Sequence, residues 1–446
     1  MATIEVGFLD FQKDFDKYMT QCQKSGDLIE IVTSSGDLNM YVVSTHGGCC
    51  EVLRNDGQRF VHFAEYFDAL QDKSEVDQKI GEVFAKNLGN NSDLHLELRK
   101  DIRNHFNGTR VDQHNDFFHM VAGQLVDELE LIADKNNGLV ELIEDFTKPL
   151  SFIVTTHVIG LEFKDRDEQK KCRELAGEAI KLVALLAPEK EKITALKAFE
   201  EFSDFILPQL EKFRVDADQG LRTNCLLYDF GEKIRAGHED KLENFICLVN
   251  GLFQAGLGAT GNSLALCLNL LLEGNDDNSA DDIRTYFMAP ERTVEEKNEA
   301  VSEYIRVATA KLGNVFPRYS QHATAVEGEP IKPNSLVYMS LRKANMDDRA
   351  FSKPQLVNPE RMKIPPDLSP EALKERRYNR IEKSLNFSYG EHMCPGRRLA
   401  LVVIRYALEE LLRRFPNMAV EDMNIVGEMF GTPTAVTSLT LRLDSA

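Results

Sequence analysis

Cations are scarce in this 446-residue chain: Lys and Arg total 53 against 72 Asp and Glu, a formal net charge of −19. Such a surface repels phosphate backbones and anionic lipid, so neither nucleic acid nor a membrane surface is an expected partner. The eight cysteines are scattered, show no Cys-x-x-Cys spacing, and include an adjacent pair, Cys49 and Cys50, that cannot easily bridge to each other. That usage excludes a zinc ribbon and a disulfide framework, and it is the usage of a reduced, intracellular protein. No apolar run approaches the roughly 20 residues of a membrane-spanning helix; those at 264–272 and 399–404 are broken by Asn or Arg. The N-terminal MATIEVGFLDFQKDFDKYM carries acids where an export signal needs an apolar region. A cytoplasmic chain without a membrane anchor is expected. With no repeat, low-complexity run or Gly/Ser linker, one domain over residues 1–446 is the simplest organisation.

What is present supports a large core, since 43% of the residues are hydrophobic. Residues 27–60 alternate and are rich in β-formers around a Gly36–Asp37 turn, which predicts a hairpin. From about 75 to 273, apolar residues recur every three or four positions, as in Phe117, Val121, Leu125, Leu129 and Ile132, which predicts a helical body. Short strands and turns follow over 311–362, and a last strong helix over 396–415. The expected fold is mainly α with a minor β region. Residues 363–383 read as an inserted segment, opening on Ile-Pro-Pro and carrying Lys374, Arg376, Arg377, Arg380 and Lys383 against the acidic background.

The most specific string is Phe387-Ser-Tyr-Gly390-Glu-His392-Met-Cys394-Pro-Gly396-Arg-Arg, a glycine-bounded loop that delivers one cysteine just before an amphipathic helix. At a helix N-terminus a cysteine faces unsatisfied N–H groups and the positive end of the dipole, which favours the thiolate and suits a metal ligand. Gly390 and Gly396 let the backbone pass close to something flat, and Phe387 can shield the sulfur from water. Taken alone, such a cysteine also fits a buried structural residue in a turn.

The whole string resembles the haem-ligand loop of the cytochrome P450 family, Phe-x-x-Gly-x-[His/Arg]-x-Cys-x-Gly, at every named position. The resemblance implies that fold, a triangular helical body with small sheets, and haem b with Cys394 as its axial thiolate, Phe387 beside the sulfur and His392 near a propionate. A thiolate ligand pushes electron density onto the iron and favours O–O cleavage. Glu303-Tyr-Ile-Arg306 resembles the family's Glu-x-x-Arg pair, whose spacing puts both side chains on one helix face. Asn358-Pro-Glu-Arg361 resembles the segment whose arginine completes that network. His95-Leu-Glu-Leu-Arg99 resembles the helix that offers both side chains to a propionate. The family's further propionate arginine, just before Ala-Thr, has no match in Gln321-His322-Ala323-Thr324, which leaves His322 as the candidate. The stretch from Glu303 to Cys394 is longer than a compact bacterial member needs, and segment 363–383 accounts for the excess.

One helix departs from the family pattern. Where Ala-Gly-x-[Asp/Glu]-Thr organises water and delivers protons during dioxygen activation, this chain reads Ala255-Gly256-Leu257-Gly258-Ala259-Thr260. The acid becomes Gly258, the alcohol becomes Ala259, and Thr260 falls one residue late, about 100° round a helix. A π-bulge or one-residue shift would bring Thr260 back. Two activities follow from the resemblance: a monooxygenase using dioxygen and a ferredoxin- or flavodoxin-type electron donor, or a peroxide-driven or hydroperoxide-rearranging enzyme that has dropped dioxygen activation. A third outcome is a fold kept as a binding protein without haem. The cationic Arg397, Arg398 and segment 363–383 are the expected donor surface. Leu252, Phe253, Leu257 and Phe316 are the candidate pocket for a small apolar substrate, a secondary metabolite or lipid-like molecule.

Overall fold

The computed structural model describes residues 2–5, 28–32, 39–55, 57–70, 73–183, 187–215, 223–309, 315–362, 369, 384–426 and 435–443. The Gly36–Asp37 turn and the basic segment 363–383, apart from Ser369, lie outside the described residues.

Helix makes the body, and its longest member is central. The helices that build the site are α1 (His46–Arg54), α2 (Asp93–Phe106), α3 (Asn115–Lys135), α4 (Lys148–Ile159), α5 (Glu189–Val215), α6 (Leu242–Glu273), α7 (Val294–Ala308) and α8 (Arg397–Arg414). The three- and four-residue spacing in α3 buries Phe118, Val121, Leu125 and Leu129. α6 is apolar on all sides in its C-terminal half, where Leu264 through Leu268 are buried against α3, α4, α7 and α8 in the largest core cluster. It stops at Gly274 (φ +70°), where a side-chain Cβ would lie 2.5 Å from the Asn278 carbonyl. One helical stretch among the described residues, Glu239–Glu273, is long and apolar enough to cross a membrane, and half of its most apolar window is buried inside the protein.

Strands sit at both ends of the chain, as expected. The predicted hairpin is present as β2 (Leu28–Val32) and β3 (Asn39–Val43), antiparallel with Leu28 opposite Val43. β3 then pairs in parallel with β8 (Ser335–Ser340), and β8 pairs with β5 (Val315–Ser320), so the five-stranded sheet runs β1-β2-β3-β8-β5 with β1 at Ala2–Glu5. That order carries β5 from the far end of the sequence to the N-terminal sheet. Between β5 and β8, β6 (Thr324–Val326) and β7 (Glu329–Ile331) form a hairpin whose turn residues Glu327 and Gly328 both have positive φ. A second sheet pairs β4 (Leu139–Glu141) with β10 (Ala435–Arg442) and β9 (Ala419–Val426), and packs against the π-turn Ile143–Thr147 that leads into α4.

Candidate functional site

The Cys394 loop is held at both ends. Cys394 N donates to Phe387 O (2.8 Å), closing the loop on itself. Gly390 has φ +71°, and a Cβ there would sit 2.7 Å from the Leu53 carbonyl, so the loop lies directly on the backbone of α1. Six other cysteines among the described residues are buried, whereas Cys394 is partly exposed. Burial is the largest effect and raises its pKa above the ordinary thiol value, and the Gly396 and Arg397 N–H groups at the start of α8 and the charges of Arg99 and Arg397 only partly offset it. The N–H groups and cations beside the sulfur would stabilise a thiolate once a metal held it, and Cys394 is the one cysteine among the described residues that is not buried.

The loop is tied to a buried ionic network. Glu303 and Arg306 are both fully buried on α7; Arg306 Nε donates to Glu303 Oε2 (2.9 Å) and Nη2 to Oε1 (2.8 Å). Arg361 Nε donates to the same Oε1 (3.1 Å), and Asn358 N joins it (3.0 Å). The remaining Arg306 hydrogens reach the Asn345 and Pro354 carbonyls (2.9 and 2.7 Å). This satisfies buried charges that would otherwise be very costly. Asn345 then turns its side chain to the loop: Oδ1 accepts from Leu385 N (2.8 Å), and Nδ2 donates to Asn386 Oδ1 (2.7 Å). The three residues expected to form a network are together, and Asn345, which sequence reasoning gave no such role, is their link to the cysteine.

Beside the loop lies a group of rings and cations. His392 stacks on His62 (centroids 4.4 Å apart, planes at 21°) and leans on His95 (4.0 Å). Asn91 Nδ2 lies 3.0 Å from His392 Nε2, and His95 Nε2 lies 3.5 Å from the Glu391 carbonyl. Burial, then the charges of Arg318, His95 and Arg99, pull the His392 pKa down to about 2. Burial and Arg318 likewise hold His62 well below the usual histidine range. Arg318 is buried on β5, whereas His322 is exposed on the turn that follows. Placement therefore favours Arg318 over His322 as the strand's cation at this site, a correction to the sequence expectation. The signal in the sequence was an arginine inside an otherwise apolar strand, Val315-Phe316-Pro317-Arg318-Tyr319. His62 and His95 each keep a buried Nδ1 with no hydrogen-bond partner. A buried arginine, the half-buried Arg99 and partnerless ring nitrogens gathered beside a cysteine that is not buried fit a metal-bearing group with anionic edges, as a haem with its two propionates is.

α6 supplies a bare wall. In the middle of this central helix Ala255, Gly258 and Ala259 are exposed, although Phe253 before them and Gly261 after them are buried. A Cβ on Gly258 would meet nothing within 4 Å. Gly256 and Gly261 face the other way: a Cβ on Gly256 would lie 2.6 Å from Thr155 Oγ1, and one on Gly261 3.3 Å from Ser151 Oγ, both on α4. Thr260 falls between those two glycines around the helix, on the α4 side. α6 is regular α-helix throughout, so the π-bulge that would have swung Thr260 to the open face is not there.

The expected pocket residues divide. Phe253 is fully buried and packs on Phe202 (centroids 4.7 Å) and Phe152 (6.0 Å), so it belongs to the core. Leu252 and Leu257 are partly buried at the margin of the same cluster. The Phe316 side chain lies outside the described residues. On the cysteine side, Arg398 is partly spent on Glu295 (3.1 Å) and Asp112 (3.4 Å), while Arg397 Nη1 lies 3.0 Å from Met393 Sδ.

Comparison with known proteins bears on this arrangement. The family model described as Cytochrome P450 matches residues 297–435, from α7 through the Cys394 loop to the start of β10. Polyketide biosynthesis cytochrome P450 PksS of Bacillus subtilis (strain 168) is 23% identical over 344 residues, 77% of this chain and 73% of that protein. 6-deoxyerythronolide B hydroxylase of Saccharopolyspora erythraea is 22% identical over 378 residues, 82% of this chain and 80% of the relative. In fold, the chain is similar to P450BioI, solved in complex with hexadec-9Z-enoic acid ligated acyl carrier protein, at TM-score 0.75 and 18% identity over 98% of this chain and 100% of that one. It is also similar to the solved PksS structure, at TM-score 0.73 and 17% identity over 98% of each chain. The family pattern around Cys394, relatives along most of the sequence and a shared fold along nearly all of it agree: the chain matches the cytochrome P450 family model over residues 297–435 and carries the cytochrome P450 fold.

Proposed function

We propose that this P450 oxidoreductase is a monooxygenase that binds haem b through Cys394 and inserts one oxygen atom into a small, largely apolar molecule, drawing electrons from a ferredoxin- or flavodoxin-type donor. The observation that carries the reading is the tie from Glu303 and Arg306 through Asn345 to Leu385 and Asn386, which fixes the loop that presents the sulfur. Loaded into this site, a thiolate-ligated haem supplies oxygen-transfer chemistry. The protein's own part is fourfold. Gly396 and Arg397 N–H groups and the Arg99 charge favour a Cys394 thiolate against the burial that opposes it. Arg318, Arg99, His95 and His392 give anionic edges a place, Phe387 and Gly390 hold the loop close, and α6 offers a wall with nothing larger than a methyl at Ala255, Gly258 and Ala259. Relatives named for polyketide biosynthesis and for 6-deoxyerythronolide B hydroxylation support a secondary metabolite as the substrate class.

The bare wall supports a second reading. No carboxylate or hydroxyl stands at 258 or 259, and Thr260 lies on the α4 side, so the usual route for proton delivery is missing. A peroxide-driven or hydroperoxide-rearranging enzyme needs no such route. The experiment mixes the ferric holoprotein, without reductant, with hydrogen peroxide and a set of lipid hydroperoxides, and follows haem absorbance and products. Bleaching without product supports the monooxygenase; rapid turnover moves the assignment to the second reading.

A further inference from the structure

A short ladder of polar side chains runs from α5 to the edge of the open face of α6, and its polarity is fixed at one end. The Phe199 carbonyl can only accept. It takes hydrogen bonds from Ser203 Oγ (2.9 Å) and from Asn250 Nδ2 (2.9 Å), and Asn250 Nδ2 gives its second hydrogen to Ser203 Oγ (2.9 Å). Asn250 is fully buried, so this orientation is not shared with water. With both N–H groups committed, Asn250 presents Oδ1, an acceptor, along the helix to residue 254. Gln254 must answer with a donor, and its Nε2 does. The Gln254 carbonyl, an acceptor, is thereby directed away from Asn250.

Its position matters as much as its polarity. At about 100° per residue, Gln254 falls between buried Asn250 and exposed Gly258 around the helix, where the open face meets α5. Its neighbours toward the open face are Ala255 and Gly258, neither of which can hydrogen-bond through a side chain. One oriented amide therefore stands in an apolar wall whose expected function was to hold an apolar ligand.

We infer that Gln254 is a substrate-orienting residue that accepts a hydrogen bond from a hydroxyl or amide N–H of the substrate, so that the preferred substrate is apolar but carries one donor. The inference rests on the haem-thiolate reading above and goes beyond it in naming the group that is read. A ligand that displaces water from this carbonyl must replace the hydrogen bond or leave a desolvated acceptor unpaired, which is how a pocket rejects an analogue lacking the group. An alcohol is thus held about tenfold more tightly than its methyl ether, in keeping with the ordinary net worth of one hydrogen bond.

The test uses the holoprotein and two pairs of probes, geraniol with geranyl methyl ether and 1-dodecanol with its methyl ether. Affinity is read from the ligand-induced spin-state change of the haem and, separately, from the rise in melting temperature. The wild type should prefer the alcohol about tenfold in at least one pair, Gln254→Leu should erase that preference, and Ser203→Ala, which slackens the ladder, should reduce it about threefold. Haem uptake and the helical circular-dichroism spectrum should be unchanged in both variants, and the unliganded melting temperature should fall by only the few degrees that one lost buried hydrogen bond costs, which separates lost recognition from lost folding. A wild type with no preference for the donor in either pair, or a Gln254→Leu variant that keeps it, overturns the inference. Failure of the wild type to take up haem would instead sink the underlying haem-thiolate reading.

Discussion

The two walls of the site are built on opposite principles. On the cysteine side an ionic network fixes the loop: Glu303 collects Arg306, Arg361 and the Asn358 N–H, and Asn345 hands that rigidity on to Leu385 and Asn386. On the α6 side the exposed positions are Ala255, Gly258 and Ala259, with nothing near Gly258 for 4 Å. One wall is over-determined and the other is blank. A buried ion pair serves to fix geometry more than to add stability, and geometry is what a metal ligand needs. A blank wall fixes nothing and leaves shape and hydrogen bonding to the ligand. The comparison teaches that rigidity is concentrated around Cys394, while the open face of α6 carries no carboxylate or hydroxyl at 258 or 259.

The comparison is broken most completely at Cys394. Cys394→Ala should abolish the thiolate-type absorption spectrum altogether, whereas Cys267→Ala, in the core, should leave it intact while costing stability; absorption spectra and melting curves of the two variants check this. Next comes the network. Glu303→Gln leaves Arg306 buried without its carboxylate partner and should destabilise the protein by about 3–5 kcal/mol, with loss of haem occupancy, read by urea unfolding and haem content.

A smaller effect sharpens the cationic corner. Arg318→Ala should speed haem loss to an excess of apomyoglobin by about tenfold, the worth of one or two charge-assisted hydrogen bonds, and His322→Ala should not change it. Smallest is a pair of glycines on opposite faces of α6. Gly258→Ala places its methyl in open space and should stabilise the protein by about 0.5–1 kcal/mol. Gly256→Ala must push Thr155 aside and should destabilise it by about 1 kcal/mol or more. Thermal melts of the two variants should move in opposite directions.

What the sequence disclosed follows the same division. The Cys394 loop and Glu303–Arg306 were legible because their chemistry is local: a cysteine before a helix, and two charges three residues apart on one face. The hairpin β2–β3 and the apolar stripe of α3 were legible from period alone. Asn345 was not, because its role exists only once α7, the 345–361 segment and the loop come together. Arg318 escapes the motif, which sets its arginine just before Ala-Thr, because the fold brings an arginine to the site from earlier on β5. Phe253 was placed in the pocket because a helical wheel shows which residues share a face but not which helix covers it; α5 and α4 do. Thr260 was left open because one residue of π-bulge would move it by about 100°, and regularity of α6 is a property of the packing and not of the local sequence. The polarity of Gln254 depends on a carbonyl some fifty residues away in the chain.

The measurement that bears most directly on the account is the absorption spectrum of the reduced wild-type holoprotein under carbon monoxide. The account predicts the long-wavelength Soret band of a thiolate-ligated ferrous haem. A band at the shorter wavelength of an imidazole-ligated haem, or no haem bound after reconstitution, would contradict it.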